Sequence, residues 1–244
     1  MGRPINKVLY FTNVFPSYRK ELWKALLSLE KINFNIFFSQ KKFQGIGASS
    51  TDSFFTNSEK EKLHSIKNIN LFGHLIWQRG VLWKLISEKY DSVIFLGDMK
   101  LISNWLGIFI CKIKGKKIGL WTHGIYGNEK SLKKRFRLLF LSLADNIFLY
   151  ENRAREILIS HKFPLNKLHV VYNSINLREQ SKIFKAHVFE KKSPNEKYYN
   201  LVYFGRLTKV KKIDLAIKAV IQLHKTDKKY KLRIVGNGSQ EIYL

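Results

Sequence analysis

The sequence is poor in cysteine and lacks a long, uninterrupted apolar run. Cys111 is the only cysteine among 244 residues, so no disulfide can form within the chain, and this usage fits a reducing compartment. The most apolar stretch, residues 101–113, contains Ser103, Asn104 and Lys112 and is shorter than the roughly 20 apolar residues that a membrane span needs. It predicts a buried helix instead. The N-terminal residues show no apolar stretch with a small-residue cleavage site, so no secretory signal peptide is expected.

Acidic residues are scarce relative to basic ones. Lysine and arginine number 44 against 18 aspartates and glutamates, which gives a formal net charge of +26 at pH 7. An excess of this size indicates an anionic partner: nucleic acid, a membrane surface or a phosphorylated ligand. Apolar residues nevertheless make up 45% of the chain, which is enough for a packed core and excludes a disordered polymer.

Short apolar runs alternate with helical patterns along the chain. Most of the runs are apolar throughout rather than at every second position, which is typical of parallel strands covered on both faces. The spacing of apolar residues from Leu22 to Leu29 predicts a first helix with Ser17 as its N-cap. Strand and helix in alternation predict an α/β fold with a doubly wound parallel sheet. Strands are predicted at 8–12, 33–39, 92–96, 117–122, 146–150, 169–172, 200–204 and 231–235.

A polar segment divides the chain into two unequal parts. Residues 178–198 are rich in charge, contain Pro194 and show no clear period, so they are predicted to be an interdomain linker. Residues 1–177, which precede the linker, are long enough for one complete α/β domain. Residues 199–244, which follow it, hold one strand, one helix, another strand and the start of a second helix. They are predicted to be only the beginning of a second domain.

Basic residues fill the loop after the strand predicted at 200–204. A helix is predicted to begin near Ile213, and cations at the positive end of a helix dipole are unfavourable by about 0.3–1 kcal/mol each. Their accumulation favours an anion among them, and phosphate suits such a place because arginine can hold its oxygens in a bidentate manner. A solvated loop in a lysine-rich protein is the alternative interpretation. The loop contains Gly205, which permits a tight turn, and the cations Arg206, Lys209, Lys211 and Lys212.

This loop resembles the phosphate-binding motif of the family-four retaining glycosyltransferases of GT-B fold, the glycosyl transferases group 1. Lys212 stands where that family usually has glycine. Residues 231–238 resemble the family's next strand and its G-x-G turn. Residues 170–176 resemble its interdomain segment, although Ser174 and Asn176 replace a glycine and an aspartate. The matching positions of the loop are Phe204, Gly205, Arg206, Leu207, Lys211 and Asp214.

The resemblance implies a GT-B architecture, with one complete Rossmann-like N-terminal domain and an incomplete second Rossmann-like domain. It implies that Gly205, Arg206 and Lys211 bind the diphosphate of a nucleotide-sugar donor, the two cations stabilising the departing group. No cofactor and no metal ion are expected, because the two cations take the place of a metal and the sequence shows no cluster of His and Asp ligands.

The N-terminal half contributes further candidate site residues. His123 follows a predicted strand in an H-G turn, and the resemblance assigns it a catalytic place near the donor sugar; a loop histidine without such a role is the alternative. Tyr18 and Arg19 lie in a P-x-Y-R turn, where Arg19 either faces the cleft or is a solvated residue of the first turn. The resemblance adds Asn173 and Gly236 as candidate cleft-lining residues.

A basic, amphipathic helix pattern begins at Leu132. Such a pattern suggests contact with anionic lipid, but its apolar residues fit a core equally well. The core is the favoured interpretation, and it leaves the charges as a basic rim of the kind that fits enzymes acting on lipid-linked acceptors at the inner membrane face. The pattern interleaves the cations Lys133, Lys134, Arg135 and Arg137 with the apolar Phe136, Leu139, Phe140 and Leu143.

Retaining members of the resembled family carry an acidic E-x7-E motif later in their second domain, and that motif would lie beyond residue 244. The sequence therefore looks like a chain truncated in its C-terminal domain, and whether this form turns over a substrate is open. A single β-α-β unit cannot cover both faces of its strands. Residues 199–244 are accordingly expected to be poorly packed or to rest on the first domain.

These patterns lead to a functional hypothesis: transfer of a sugar from a nucleotide-sugar donor to a saccharide acceptor, expected to be lipid-linked, in cell-surface polysaccharide or lipopolysaccharide biosynthesis. The expected partners are the donor, the acceptor and an anionic membrane surface, without nucleic acid, and the expected location is cytoplasmic, at the inner face of the plasma membrane. The alternative is a basic membrane- or RNA-binding α/β module without catalysis, although the sequence carries no RNA-recognition, zinc or helix-turn-helix signature. An NAD-binding protein is disfavoured because no third glycine follows Gly236 and Gly238.

Overall fold

The computed structural model describes residues 6–40, 54–127, 129–186 and 198–243. The chain forms two compact units, Met1–Gln180 (unit 1) and Ser181–Leu244 (unit 2). Within the predicted linker, a helix covers Leu177–Ala186, and residues 187–197 lie outside the described residues. The predicted domain boundaries at residues 177 and 198 stay predictions.

Strands and helices alternate along the chain as the sequence predicts. In the described residues the strands are β1 Asn6–Phe11, β2 Ile32–Phe38, β3 Leu63–Ser65, β4 Lys67–Leu71, β5 Leu75–Arg79, β6 Ser92–Leu96, β7 Lys117–Thr122, β8 Asn146–Leu149, β9 Leu168–Val170, β10 Tyr199–Phe204 and β11 Tyr230–Val235. The α-helices are α1 Lys20–Leu27, α2 Asn57–Lys60, α3 Val81–Ser87, α4 Ile102–Ile113, α5 Ser131–Ser142, α6 Asn152–Ser160, α7 Leu177–Ala186 and α8 Ile213–Thr226. Eight strands coincide with the predicted ones to within a few residues, whereas β3, β4 and β5 are not predicted.

One parallel sheet forms the centre of unit 1. Its strand order is β3-β2-β1-β6-β7-β8-β9, and every neighbouring pair is parallel. The chain begins inside the sheet at β1, builds outward to β3, and then returns to the other side of β1 with β6. The strand order therefore reverses between β1 and β6, which is the doubly wound arrangement. The predicted fold class, α/β with a parallel sheet, is confirmed.

Both faces of this sheet are covered, which explains why its strands are apolar at successive positions. Tyr10 and Phe11 are neighbours in β1 and point to opposite faces, yet both are fully buried. Phe11 stacks on Phe37 and on Phe95, at ring-centroid distances of 4.7 and 5.6 Å. On the other face Tyr10 packs against Trp23 of α1 at 5.6 Å. Helices α3 to α6 contribute apolar side chains to the cluster around Phe11.

Two helices of unit 1 differ from their predictions. Ser17 is not the N-cap of α1: residues Ser17–Arg19 form a 3-10 turn closed by a hydrogen bond to the Pro16 carbonyl, and α1 begins at Lys20. The helix predicted within 101–113 is present as α4, but it is not buried on all sides. Its Phe109 is 63% exposed, because α4 packs on the sheet with one side and leaves the other uncovered.

An unpredicted antiparallel hairpin, β4–β5, precedes α3. Its turn contains Phe72 and Gly73, both with positive φ (45° and 73°), as a tight hairpin turn requires. The hairpin is hard to detect in the sequence because a polar side chain occupies one of the two buried positions of β5, the other being Ile76. That polar residue, Gln78, is completely buried.

Helix α5 exposes more apolar surface than the sequence predicts. Phe140 is buried as expected, but Phe136 and Leu139 are more than half exposed, so the core interpretation is wrong for these two residues. The reason is geometric. Leu132, Phe136 and Leu139 share one side of the helix. The buried side is centred near Leu141, and Phe140 lies at the border between the two sides.

Unit 2 contains a small parallel sheet of β10 and β11 with α8 packed against it. Every residue of β10 except Tyr203 is exposed, and Phe204 is 84% exposed. One helix covers one face of two strands, so the other face has no cover among the described residues. Unit 2 by itself therefore has little apolar packing, and the expectation that residues 199–244 are poorly packed or rest on the first domain stays a prediction.

The packing of unit 1 predicts different effects for two phenylalanines. Phe95 is fully buried against Phe11, so we expect Phe95→Ala to lower the free energy of unfolding by about 3–5 kcal/mol. Phe109 is largely exposed, so Phe109→Ala is expected to change it by less than about 0.5 kcal/mol. Denaturant unfolding followed by circular dichroism measures both values. Equal losses would contradict the packing described.

Candidate functional site

Unit 1 has a pocket at the carboxyl ends of its strands. The cavity has a volume of about 330 Å³ and is lined by the segments that follow β1, β6 and β7, among others. It therefore lies where the strand order reverses, between β1 and β6, which is the usual place of a ligand site in doubly wound sheets. The predicted site residues Tyr18, Arg19 and His123 all line it.

Arg19 is buried in this pocket wall and held by polar partners. Its Nε and Nη2 donate to Asn173 Oδ1 at 3.2 and 2.8 Å, and Nη2 also donates to the Tyr150 hydroxyl at 2.9 Å. The guanidinium carbon lies 5.1–5.9 Å from four aromatic ring centres, a range in which ring faces stabilise a cation. Arg19 lines the pocket, and the alternative of a solvated first-turn residue is wrong.

Asn173 connects the end of the sheet to this cation. Its Oδ1 accepts the bonds from Arg19 and a further one from the Ser174 backbone N–H at 3.0 Å. Three residues later, Asn176 accepts a bond from the Glu179 N–H and so caps α7. Asn173 and Asn176, both in the segment 170–176, therefore have different roles: Asn173 holds Arg19 in the pocket wall, and Asn176 caps helix α7.

His123 stands in the turn directly after β7. Its ring centre is 4.4 Å from that of Tyr150. The turn is fixed by Thr122, whose hydroxyl donates to the Gly97 carbonyl at 2.9 Å and accepts from the Gly124 N–H at 3.1 Å. Partial burial lowers the pKa of His123 below its ordinary value of 6.5, and the charge of Arg19 lowers it further. At neutral pH the imidazole is accordingly uncharged, with one donor and one acceptor nitrogen.

The unpredicted hairpin supports the pocket from the side of β1. Gln78 Nε2 donates to the Thr12 carbonyl at 3.1 Å and to Asn68 Oδ1 at 3.1 Å. Asn68 in turn donates to the Asn13 carbonyl at 3.0 Å. These bonds fix the loop after β1, which lines the pocket. Sequence reasoning missed both residues because an isolated Asn and Gln in a short strand give no local signal.

In unit 2 the two glycine-containing loops lie side by side. Gly205 N–H donates to the Val235 carbonyl at 3.0 Å, and Leu207 N–H donates to the Asn237 carbonyl at 2.8 Å, which continues the β10–β11 ladder beyond both strands. A Cβ at Gly236 would lie 1.8 Å from the Gly205 carbonyl oxygen. No side chain fits there, so the glycine is required by the close approach of two backbones.

The predicted cations surround the start of α8. Lys211 ends a 3-10 turn, Lys209–Lys211, and Lys212 occupies the N-cap position of the helix with φ 48° and ψ 46°. This left-handed conformation explains why glycine suits the position, since a residue with a Cβ adopts it at a penalty of about 1–2 kcal/mol. Arg206 follows Gly205 at the exit from β10. The roles of Gly205, Arg206, Lys211 and Gly236 toward a donor stay predictions.

Neither the pocket of unit 1 nor the loop at 204–214 contains a cluster of metal-ligating side chains among the described residues. Within residues 6–40, 54–127, 129–186 and 198–243, no group of three or more His, Cys, Asp or Glu side chains could hold a metal ion. Cys111 is buried and unpaired with another cysteine. The expectation that the chemistry needs no metal stays a prediction.

Comparison with known proteins connects the loop of unit 2 to one family. Residues 184–244 match the family described as Glycosyl transferases group 1. The match covers about a quarter of the chain and includes the loop at 204–214, where the sequence alone suggests the same family. No curated protein matches the chain.

Solved structures share the fold along almost the whole chain. The apo form of a lipopolysaccharide outer core galactosyltransferase, WaaB, is 18% identical with a TM-score of 0.55, and the comparison covers 97% of this chain and 62% of that one. A UDP-N-acetylglucosamine 2-epimerase from Listeria monocytogenes is 14% identical with a TM-score of 0.52, and the comparison covers 95% of this chain and 63% of that one. An S. aureus TarM mutant in complex with Fondaparinux, alpha-GlcNAc-glycerol and UDP is 9% identical with a TM-score of 0.55. That comparison covers 98% of this chain and 73% of the TarM chain.

These likenesses show the fold of the chain. The chain has the α/β architecture of the GT-B glycosyltransferases, and its C-terminal segment matches the Glycosyl transferases group 1 family. Identities this low show the fold alone. The chain also spans slightly less than two thirds of the length of the first two structures.

The position of His123 beside Arg19 predicts a pH effect. Because the folded state favours the neutral imidazole, its contribution to stability is present above pH 6.5 and is lost as the pH falls below that value. Arg19→Gln removes one of the charges that depress the pKa, so we expect the titration midpoint of His123 to rise. NMR titration of the imidazole measures the midpoint in each variant.

Lys112→Ala is the matched control for this titration. It removes the same charge from an exposed site on α4 that does not line the pocket, so the midpoint of His123 should stay in place. A midpoint above 6.5 in the unaltered chain, or no rise in Arg19→Gln, would contradict the described electrostatics.

Proposed function

We propose that this protein is a glycosyltransferase that moves a sugar from a nucleotide-sugar donor to a saccharide acceptor in cell-surface polysaccharide or lipopolysaccharide biosynthesis. The observation that carries the proposal is the loop at 204–214, where paired glycines bring two backbones together beside clustered cations. The fold does not select this function by itself, because epimerases of UDP-sugars share it. The match of residues 184–244 to Glycosyl transferases group 1 supports transfer rather than epimerisation.

Arg206 and Lys211 would stabilise the diphosphate as it leaves. Negative charge grows on the leaving group in the transition state, and fixed cations that need no rearrangement lower the barrier to its formation. The N-terminus of α8 adds backbone N–H groups and a positive dipole end. Gly205 and Gly236 serve indirectly, because they allow the two loops to lie close enough to form one surface.

His123 would act on the sugar rather than on the phosphate. As an uncharged imidazole it can donate a hydrogen bond to a sugar hydroxyl or accept one from it. The pocket that it lines would hold the acceptor. Transfer with retention of configuration is the stereochemical course that we propose, and its support is the resemblance of the loop to the retaining family.

Removal of the two loop cations tests the donor site. A charge-assisted hydrogen bond contributes about 1.5–3 kcal/mol, so Arg206→Ala combined with Lys211→Ala should weaken UDP binding at least about tenfold. Thermal shift of the whole chain with increasing UDP measures the change. Lys209→Ala removes a cation from the same turn outside the matching positions and should leave UDP binding within about twofold.

The same titration separates the two functional hypotheses. A nucleoside diphosphate that stabilises the chain, where a polyanion such as heparin does not, supports the transferase. Stabilisation by the polyanion alone would favour the basic binding module. Equal UDP binding by the double variant and the unaltered chain would contradict the assignment of Arg206 and Lys211.

We also propose that unit 1 binds an anionic membrane surface, where a lipid-linked acceptor would be available. None of the helices in the described part of the chain is long and apolar enough to cross a bilayer, so this contact would be peripheral. Helices α3, α4 and α5 all pack on the same face of the sheet and expose large apolar residues outward. These are Trp83, Ile86, Leu106, Phe109, Ile113, Leu132, Phe136 and Leu139, called here the apolar surface.

Charge complementarity favours lipid as the occupant of the apolar surface. Lys112, Lys130 and Arg135 are exposed on or beside these helices, and each basic residue near an anionic membrane contributes about 1 kcal/mol of attraction. On the opposite face of the sheet, α1 buries Trp23 and Leu27 and exposes no large apolar residue. Apolar and basic exposure thus coincide on one side of unit 1, as interfacial binding requires.

Vesicle binding tests the apolar surface. Trp83→Ala combined with Phe109→Ala should reduce partitioning onto phosphatidylglycerol-containing vesicles about tenfold, as measured by co-sedimentation. Phe72→Ala is the control, because Phe72 is 94% exposed but lies on the hairpin turn, outside the apolar surface. Equal binding of the double variant and the control would contradict the proposal, as would equal binding to vesicles of phosphatidylcholine alone.

A further inference from the structure

The guanidinium of Arg19 is a buried cation without a carboxylate. Arg19 is only 8% exposed. Its guanidinium donates hydrogen bonds to the Asn173 amide oxygen and the Tyr150 hydroxyl, and both of these acceptors are neutral. In the described part of the chain, no Asp or Glu forms an ion pair with it. The ring faces around the guanidinium stabilise it but carry no formal negative charge. The positive charge at this point therefore has no counter-charge within the described residues, and an anionic ligand would supply one.

Part of this guanidinium is available to a ligand. Nε and Nη2 are engaged by Asn173 and Tyr150, whereas Nη1 has no protein acceptor among the described residues. Arg19 lines the pocket, so the two N–H groups of Nη1 are the donors that remain for a bound group. Donors on a cation of this kind bind the oxygens of phosphate or carboxylate.

Two more cations reach the same pocket from other elements. Lys100, in the loop after β6, and Lys133, in the first turn of α5, line the cavity. Neither side chain has a hydrogen-bond or ion-pair partner in the part of the chain that the structure describes. Arg137 also lines the pocket, but its charge is compensated by Glu129 at 2.8 Å. The pocket therefore holds three cations without an ion-pair partner, each from a different segment.

One carboxylate offsets part of this charge. Asp98 is the only carboxylate among the described lining residues, and its Oδ1 already accepts the Lys100 backbone N–H at 3.1 Å. His123 is neutral at pH 7 and contributes no charge of its own. Asp98 balances one of the three positive charges, so a neutral sugar would leave the other two without a counter-charge. A phosphate monoester brings about −1.5 to −2.

We propose that the pocket of unit 1 binds a phosphoryl group carried by the acceptor, which makes the acceptor an anionic, phosphorylated saccharide. Arg19 holds the phosphate by the free N–H groups of Nη1, and Lys100 and Lys133 act as point charges on its other oxygens. The proposal rests on the proposed function only in naming the ligand an acceptor. The anion site itself stands on the buried cation, its free donors and the two lysines.

Titration of the whole chain with inorganic phosphate, at constant ionic strength, tests the site. The Trp121 indole is the reporter, because its ring lies 5.7 Å from the Arg19 guanidinium carbon, and a Trp121→Phe variant assigns its NMR signal. We expect a saturable shift of that signal. Arg19→Gln should weaken the affinity at least about tenfold, and Lys100→Ala combined with Lys133→Ala about fivefold or more. Circular dichroism confirms that each variant is folded.

The pair Lys112→Ala and Lys134→Ala is the matched control. It removes the same charge from α4 and α5 of unit 1, at positions that do not line the pocket. It should change the phosphate affinity by less than about twofold. The absence of a saturable shift would overturn the proposal. The proposal would also be overturned if the control pair weakened phosphate binding as much as Lys100→Ala with Lys133→Ala does. Phosphate binding would then depend on the net charge of the protein rather than on the pocket.

A second titration, with UDP, separates the acceptor phosphate from the donor diphosphate. We expect Arg19→Gln to leave UDP affinity unchanged, and Arg206→Ala with Lys211→Ala to leave the phosphate shift of Trp121 unchanged. If Arg19→Gln weakens UDP and phosphate alike, the anion is the donor's and the acceptor assignment is overturned. If only the donor-site assignment is wrong, the result differs: Arg206→Ala with Lys211→Ala leaves UDP affinity unchanged, while Arg19→Gln still weakens phosphate binding.

Discussion

The candidate site of unit 1 depends on one buried cation. Arg19 follows the first strand, yet its guanidinium bonds to Tyr150 after β8 and to Asn173 after β9, residues 131 and 154 positions away in the sequence. It thereby holds together three segments at the carboxyl edge of the sheet. The same charge lowers the pKa of His123 and makes the pocket attractive to anions. An apolar residue of similar size could not substitute, since it would leave Asn173 and Tyr150 without their donor.

Unit 2 is organised by backbone contact instead of by a side chain. The hydrogen bonds that follow β10 and β11 draw two loops together, and Gly236 has no room for a Cβ beside the Gly205 carbonyl. Clustered cations then surround the start of α8. Each unit thus concentrates positive charge at the carboxyl edge of a parallel sheet, where helix N-termini already favour anions.

The sequence predicted the strands well because strands buried on both faces are apolar at every position, as Tyr10 and Phe11 show. The resemblance to the glycosyltransferase family suggested His123 and the glycine loops as site residues. Arg19 was a candidate because it lies in the loop that follows β1, with a solvated residue as the alternative. The sequence could not predict the bond between Arg19 and Asn173, which depends on strand order rather than on local pattern. The outward side of α5 was misjudged at Phe136, because helical spacing does not identify which apolar side meets the sheet.

We propose that the loop at 204–214 receives the diphosphate of a nucleotide-sugar. Backbone amide NMR of the whole chain, titrated with UDP and separately with uridine, tests it most directly. We expect saturable shifts at Gly205, Arg206 and Gly236 with UDP and none with uridine, because the loop would bind phosphate oxygens. UDP shifts that spare these residues, or equal shifts with uridine, would contradict the proposal.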